Sequence, residues 1–213
     1  MTEDEARDWL RTEFSVSRET WEKLDRYVVL LLAAMDEQNL IAESTRDHVW
    51  ARHIADSAQL LPLTRDAREG LWIDLGSGAG LPAIVIAILT ERPLVMIETR
   101  RKRIDFLNEV VADLGLRHAT VYGGRVETAP AAQAAVISAR AYAPLQRLLG
   151  SAQHLSDDRT VWVLPKGRNA ENELEAARPA WQGVFHVKRS ITDADSAIIV
   201  AQGVASRGRK GRA

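Results

Sequence analysis

The sequence predicts an α/β fold on a mostly parallel sheet, and three observations carry that prediction. After Gly70, short apolar runs alternate with segments of helical periodicity, the pattern of βαβ units whose buried strands are covered on both faces. The turn Asp74-Leu-Gly-Ser-Gly-Ala-Gly80 follows the first of these runs directly. Glycines at the carboxyl end of a strand let backbone come close to a ligand. Finally, the apolar runs 184–187 and 197–201 are separated only by a polar connection, which predicts an antiparallel pair closing one edge of the sheet.

In chain order, an acidic stretch at about 3–13 reads as a short helix. From Ser17 to about Gln38 the residues Trp21, Leu24, Val28, Leu31, Leu32 and Met35 recur at three- and four-residue steps, which predicts a long amphipathic helix with Ser17 or Ser15 as its N-cap. Asn39-Leu40 breaks it. A further helix is expected from about Thr45 to Leu61, stopped near Pro62. The plain reading of all three is a packing cap on a larger domain. Strands are expected at 71–75, 94–98, 119–122, 134–138 and 161–164, with helices at 81–90, 102–114, 145–155 and 169–177. The expected organisation is a helical extension (1–69), a sheet domain (70–205) and a basic, Gly-rich tail (206–213), disordered and free to touch phosphate. There are no internal repeats.

Composition sets outer limits. The chain has 213 residues, 46% hydrophobic and 27% charged, the balance of an ordinary globular protein. Cys is absent, which removes disulfides, thiolate nucleophiles, Cys zinc sites and iron–sulfur clusters. No apolar stretch reaches the ~18 residues of a membrane span, and the acidic start lacks the basic region of a signal peptide. The expected location is cytoplasmic. The net charge of -1 hides an asymmetry: residues 1–70 hold 9 Lys+Arg against 15 Asp+Glu, the remainder 19 against 14. A polyanionic partner would therefore need a local basic face.

The glycine turn discriminates between ligands. Dinucleotide binding asks for G-x-G-x-x-G, but counting from Gly76 the third glycine is Gly80, and Leu81 stands where the fingerprint needs it. A nucleotide P-loop needs a Lys after the glycines, and none follows. The spacing D-x-G-x-G-x-G resembles instead that of S-adenosylmethionine-dependent methyltransferases. Glu98, ending the second strand, is placed where an acidic side chain can accept both ribose hydroxyls. A ligand-free turn with a solvated Glu is the bland alternative.

Beyond the turn, the blocks Asn39-Leu40 with Thr45-Arg-Asp47, Arg52-His-Ile-Ala-Asp-Ser57, Asp74 to Pro82, Lys102-Arg-Ile-Asp-Phe-Leu107, Gly124-Arg-Val-Glu127, Ile137-Ser-Ala-Arg-Ala141 and Leu164-Pro-Lys-Gly167 occur in order with natural spacing. Together they resemble the RsmG (GidB) family of small-subunit rRNA methyltransferases. Ile41 and Ala83 depart from that pattern, where Thr and Gly are frequent.

The resemblance implies a Rossmann-like class I S-adenosylmethionine-dependent methyltransferase fold with a seven-stranded sheet, and methylation of guanine N7 in 16S rRNA. It assigns S-adenosylmethionine to Asp74, Gly76, Ser77, Gly78, Gly80, Leu81, Glu98, Arg125, Val126, Glu127 and Arg140, and the catalytic positions to Arg140, Lys166 and His53. Arg140 would stack on a base or grip phosphate. Lys166 would add a second positive point in the same mouth, and His53 would reach over the cofactor. No metal and no membrane are expected, and a monomer is. The bland alternatives are surface arginines and a structural histidine. The run Arg100-Arg-Lys-Arg103 sits where a helix N-terminus disfavours cations, so it reads either as an RNA-facing patch or as a solvated face. N7 carries no proton and needs no general base; the missing Cys argues against carbon-5 pyrimidine methylation, and the absence of [ND]-P-P-[YF] before Tyr142 against exocyclic-amine methylation. A non-catalytic RNA-binding or ribosome-assembly factor and an NAD(P)-linked oxidoreductase are the competing readings.

Overall fold

A computed structural model describes residues 1–208. Its sheet contains β1 (Trp72–Leu75), β2 (Leu94–Glu98), β3 (Ala119–Gly123), β4 (Val136–Ser138), β5 (Val161–Lys166), β6 (Trp181–Arg189) and β7 (Ala197–Ser206). The spatial order is β3-β2-β1-β4-β5-β7-β6. Every pairing is parallel except those of β7, which runs antiparallel to β5 and β6. β1 is buried on both faces along its whole length, which explains why it reads as a continuous apolar run rather than an alternating one. Its register sets Asp74 opposite Ser138 of β4.

Side chains alternate across a strand, so the sheet divides the interior into two cores. One holds Trp72, Leu94, Met96 and Val136 with α4 (Ala83–Leu89), α5 (Arg101–Asp113) and the N-terminal segments. The other holds Ile73, Leu75, Ile97 and Ile137 with α6 (Leu145–Ala152) and α7 (Ala170–Ala177). The sequence of α4, AIVIAIL, is apolar all round, and such a helix must be covered on its outer side as well. The N-terminal helices supply that cover.

The two N-terminal helices are capped as their sequences specify. α1 (Glu3–Phe14) carries a capping box between Thr2 and Glu5, and Ser17 caps α2 (Arg18–Ala34) by accepting from the Thr20 N–H. α2 buries Leu24, Tyr27 and Leu31. Arg26 clips it to α5 through two 2.8 Å hydrogen bonds to Asp113. The Tyr27 hydroxyl crosses into the sheet domain and donates to the Ala79 carbonyl at 2.8 Å in a buried setting.

The single helix expected over 45–61 is corrected by the structure. Glu43–His48 forms a 3₁₀ turn, Trp50–Ala55 a π-helical stretch, α3 (Asp56–Ala58) a short α turn, and Pro62–Thr64 another 3₁₀ turn. The reason is competition for N–H groups. Those of Trp50 and Ala51 donate to the Glu3 carboxylate at 3.0 and 2.8 Å instead of to the preceding turn. An aromatic stack secures the joint: Trp21 lies on Trp50 at 5.1 Å, and Arg7 sits 4.0 Å over Trp50.

At the other end, β6 and β7 are longer than their apolar cores suggest. β6 is largely exposed, so polar residues serve it as well as apolar ones. A bulge lies between Gln182 and Val184, where Gly183 adopts φ +147. The expected tail begins inside β7, which runs through Ser206, and Arg207 bonds the carbonyls of Ala180 and Trp181. The rest of the tail, 209–213, lies outside the described residues. Tyr27→Phe leaves the Ala79 carbonyl without its buried donor, and a loss of about 1–3 kcal/mol is expected in urea unfolding. An unchanged midpoint would show that the hydroxyl does not hold the turn.

Candidate active site

The three turn glycines all have positive φ (+66, +58 and +88), a conformation that favours glycine, yet they face different surroundings. A Cβ on Gly76 would lie 2.7 Å from the Tyr142 ring, and one on Gly80 would lie 2.5 Å from Ile84 and 3.1 Å from Leu107. Gly76 therefore faces a crevice, while Gly80 lets the chain pack onto α4 and α5. Ser77 and Leu81 are also buried behind the turn. The Ser77 hydroxyl donates to the Asp74 carbonyl.

Glu98 braces the turn from the far side. Its Oε2 accepts from the Gly78 N–H at 2.9 Å, and its Oε1 from the N–H groups of Thr99 and Arg100 at 2.7 and 2.9 Å. A carboxylate offers about four acceptor positions, so Oε2 keeps spare capacity. The crevice beside it measures about 640 Å³ and is lined by Gly76, Glu98, Arg125, Val126, Glu127 and Tyr142, with Arg100, Arg103 and Arg147 at its sides. Six of the residues expected at the cofactor thus stand together or touch one another here: Gly76, Gly78, Glu98, Arg125, Val126 and Glu127.

Asp74 lies underneath, fully buried. Trp72 Nε1 donates to the Ser138 hydroxyl at 2.8 Å, and that hydroxyl donates to Asp74 Oδ1 at 2.6 Å. Among the described residues Oδ2 has no hydrogen-bond partner. Burial pushes the carboxyl up to about 6, against the opposing effects of the Ser138 and Ser77 hydroxyls and the Arg140 charge.

On the other side of the segment after β4 lies a second cavity of about 510 Å³, bordered by Asp56, Arg140, Lys166, Glu173, Ser190 and Ser196. Ala141, at φ 53, and Tyr142 line both cavities and form the partition between them. Arg140 Nη1 reaches His53 Nδ1 at 3.1 Å and Asp56 Oδ2 at 3.4 Å. Asp56 Oδ1 is itself fixed by Thr192 and Gln59, each at 2.8 Å. Burial, followed by the charges of Arg140 and Arg52, lowers the His53 pKa to about 3. Arg140 and His53 are in contact on the second cavity's side, so the arginine's place in the cofactor set rests only on its nearness to the partition.

Lys166 is not the free positive point that the sequence suggests. Its Nζ donates to the Ala143 carbonyl and to Glu173 Oε2, both at 2.8 Å, and Glu173 Oε2 also accepts from the Leu145 N–H at 2.7 Å. The pair fastens the segment carrying Arg140 to β5 and α7. Sequence reasoning missed Asp56, Tyr142 and Glu173. Asp56 stands three residues after His53, the spacing of one helical face, and Tyr142 two after Arg140. Glu173 leaves no comparable local signal. Among the described residues no His/Cys/Asp/Glu group could hold a metal ion, and no helix is long and apolar enough to cross a membrane.

Solved structures with this architecture include the glycopeptide N-methyltransferase MtfA complexed with sinefungin, at TM-score 0.58 and 8% identity, covering 70% of this chain and 93% of that one. A precorrin-6y methyltransferase from Geobacter metallireducens matches at TM-score 0.50 and 13% identity, covering 77% and 90%. These likenesses concern the fold, which is that of the class I methyltransferases. Sequence relatives are far nearer. The ribosomal RNA small subunit methyltransferase G of Sphingopyxis alaskensis is 51% identical over 208 residues, 98% of this chain and 89% of its own length. Its counterpart from Rhizorhabdus wittichii is 50% identical over 216 residues, covering 100% and 99%. A family model described as rRNA small subunit methyltransferase G matches residues 20–197, and the chain belongs to that family.

Proposed function

We propose that the protein is an S-adenosylmethionine-dependent methyltransferase acting on N7 of a guanine in 16S rRNA, within the small ribosomal subunit or a precursor of it. The observation that carries this reading is the pair of cavities meeting at the Arg140–Tyr142 partition. One has acceptors and a glycine cradle suited to a cationic nucleoside; the other presents an oriented guanidinium. The fit to the cofactor rests on Glu98 Oε2 for a ribose hydroxyl, on the Gly76 backbone, and on the unpartnered buried oxygen of Asp74 for the field around an ammonium group. Gly124, Arg125, Val126 and Glu127 would flank the adenine, and Gly78 would act through Glu98. Ser77, Gly80 and Leu81 would support the turn from behind.

When bound, S-adenosylmethionine supplies an electrophilic methyl group on a sulfonium. The protein then has to place an unpaired guanine, since N7 carries a free in-plane lone pair and no proton. Well-oriented reactants gain about 7–11 kcal/mol over a bimolecular encounter. The usual bidentate contact of arginine to guanine O6 and N7 would occupy the reacting lone pair, so Arg140 is assigned to phosphate, to O6 alone, or to the base face. Nε and Nη2 make no hydrogen bond among the described residues and serve this purpose. Lys166 holds the partition in place. The exposed arginines around the first cavity, with the Arg100–Arg103 run, give the local basic surface that RNA phosphates require.

We also propose a cytoplasmic monomer, the location being that of a ribosomal RNA substrate. In it, residues 1–69 form a helical extension that shares the core of the sheet domain, 70–205, with Ser206 and Arg207 at its end. The direct test is mass spectrometry of nucleosides from small subunits or 16S rRNA incubated with the protein and cofactor. N7-methylguanosine is expected, and an unmodified digest overturns the proposal.

Arg140→Ala is expected to lower methyl incorporation by about a hundredfold, the scale of a misplaced reactant, while calorimetry finds cofactor affinity nearly intact. Equal turnover would refute the placement role. Asp74 also makes affinity pH-dependent. Below about 6 the raised carboxyl takes up a proton and its attraction for a cation is lost, so cofactor affinity falls as the pH drops through that range. Asp74→Asn is expected to bind more weakly at pH 7 and to lose this acid-side decline.

A further inference from the structure

We propose that His53 is a positioning residue, a permanently neutral acceptor whose Nδ1 tethers Arg140 Nη1 and whose Nε2–H is locked on Thr45. The arginine is thereby aimed by a neutral group that adds no negative charge beyond that of Asp56. This inference rests on the reading of Arg140 as the group that places RNA.

Hydrogen-bond direction makes the argument. Arginine has five N–H donors and no acceptor, so the 3.1 Å contact from Nη1 requires a lone pair on His53 Nδ1. The proton of a neutral imidazole then sits on Nε2, 2.8 Å from Thr45 Oγ1. Thr45 can receive it because its own hydroxyl hydrogen is committed to the Ala42 carbonyl at 2.7 Å. From Arg140 to Ala42 every donor meets an acceptor in one direction. A proton on Nδ1 would turn two donors against each other, and protonation of both nitrogens would also bring two positive charges together.

The charged groups around the ring agree with this polarity. Arg140 faces it from the segment after β4, while Arg52 is adjacent on its own segment and paired with Asp193 at 2.9 Å. Asp56 shares Arg140 at 3.4 Å but is divided among Thr192, Gln59 and the arginine. The low His53 pKa follows from burial and the two arginines. A carboxylate in place of the imidazole would hold the guanidinium equally well and neutralise it. The imidazole fixes direction without adding a second negative charge to that of Asp56, so Nε and Nη2 keep a positive field for an RNA phosphate or O6. The π-helical stretch Trp50–Ala55 that carries His53 is a form of helix frequent at functional sites.

Two substitutions separate the ring nitrogens. His53→Asn keeps an acceptor near the position of Nδ1, whereas His53→Gln places its polar atoms near Nε2, retaining Thr45 and losing Arg140. Methyl incorporation into small subunits is measured from pH 5.5 to 8.5, with cofactor affinity by calorimetry and thermal melting as controls. His53→Gln is expected to lower kcat or raise the RNA KM by about ten- to hundredfold, the loss of one hydrogen bond to a charged group, with unchanged cofactor affinity. His53→Asn is expected to recover most of that loss and to keep the wild-type pH profile. Equal activity of the two variants overturns the inference, as does a wild-type inflection near pH 6.5 that vanishes in His53→Asn. If His53→Gln fails to fold, Thr45→Val serves in its place: a loss of turnover restored by Thr45→Ser supports the tether, and full activity of Thr45→Val overturns it. Arg140→Ala is run alongside. If it is fully active the placement reading itself falls; if it is impaired while His53→Gln is not, only the tether falls.

Discussion

A single buried carboxylate sets the geometry on which the rest of the site depends. The turn after β1 passes through three left-handed residues and satisfies only part of its own backbone, through the Ser77 carbonyl. Glu98 takes the Gly78 N–H from one side while Tyr27 donates to the Ala79 carbonyl from the other. In the interior such groups are costly when left alone. The brace couples two parts of the chain that composition alone would separate, because one support comes from β2 and the other from α2. The N-terminal helices are therefore part of the site's construction as well as a cover for α4.

The same division of labour recurs around Arg140. The charge comes from the segment after β4, its direction from the 45–56 stretch, and the footing of that stretch from Glu3, Trp21 and Arg7. On the opposite flank, Lys166 and Glu173 secure the backbone at Ala143 and Leu145. Glu98, Arg140 and Lys166 thus each have partners on other elements, which limits the reorganisation required when a ligand arrives.

Most of the sheet was legible because buried parallel strands are written as uninterrupted apolar runs; β2 matches its expected bounds, residue for residue, at 94–98. The glycine turn and Glu98 were legible because their spacing is local. What escaped depends on contacts between distant residues. Nothing near position 45 announces that Glu3 will intercept the N–H groups of Trp50 and Ala51, so a continuous helix was the natural expectation. Lys166 looked free because its partner lies on α7, and Gly80 looked like a ligand contact because φ and packing toward Ile84 are invisible in a motif. Only the fold reveals that Asp56 and His53 hold the same guanidinium.

The bulge at Gly183 has a consequence for the molecule as a whole. β6 is the open rim of the sheet, a nine-residue strand whose free amides and carbonyls would invite a second chain to add on. The irregular step at Gly183, together with Lys188 and Arg189 farther along, interrupts that ladder with a kink and two repelling charges, devices that discourage edge-to-edge aggregation. The outer border of the sheet is thereby made a poor template for a further strand.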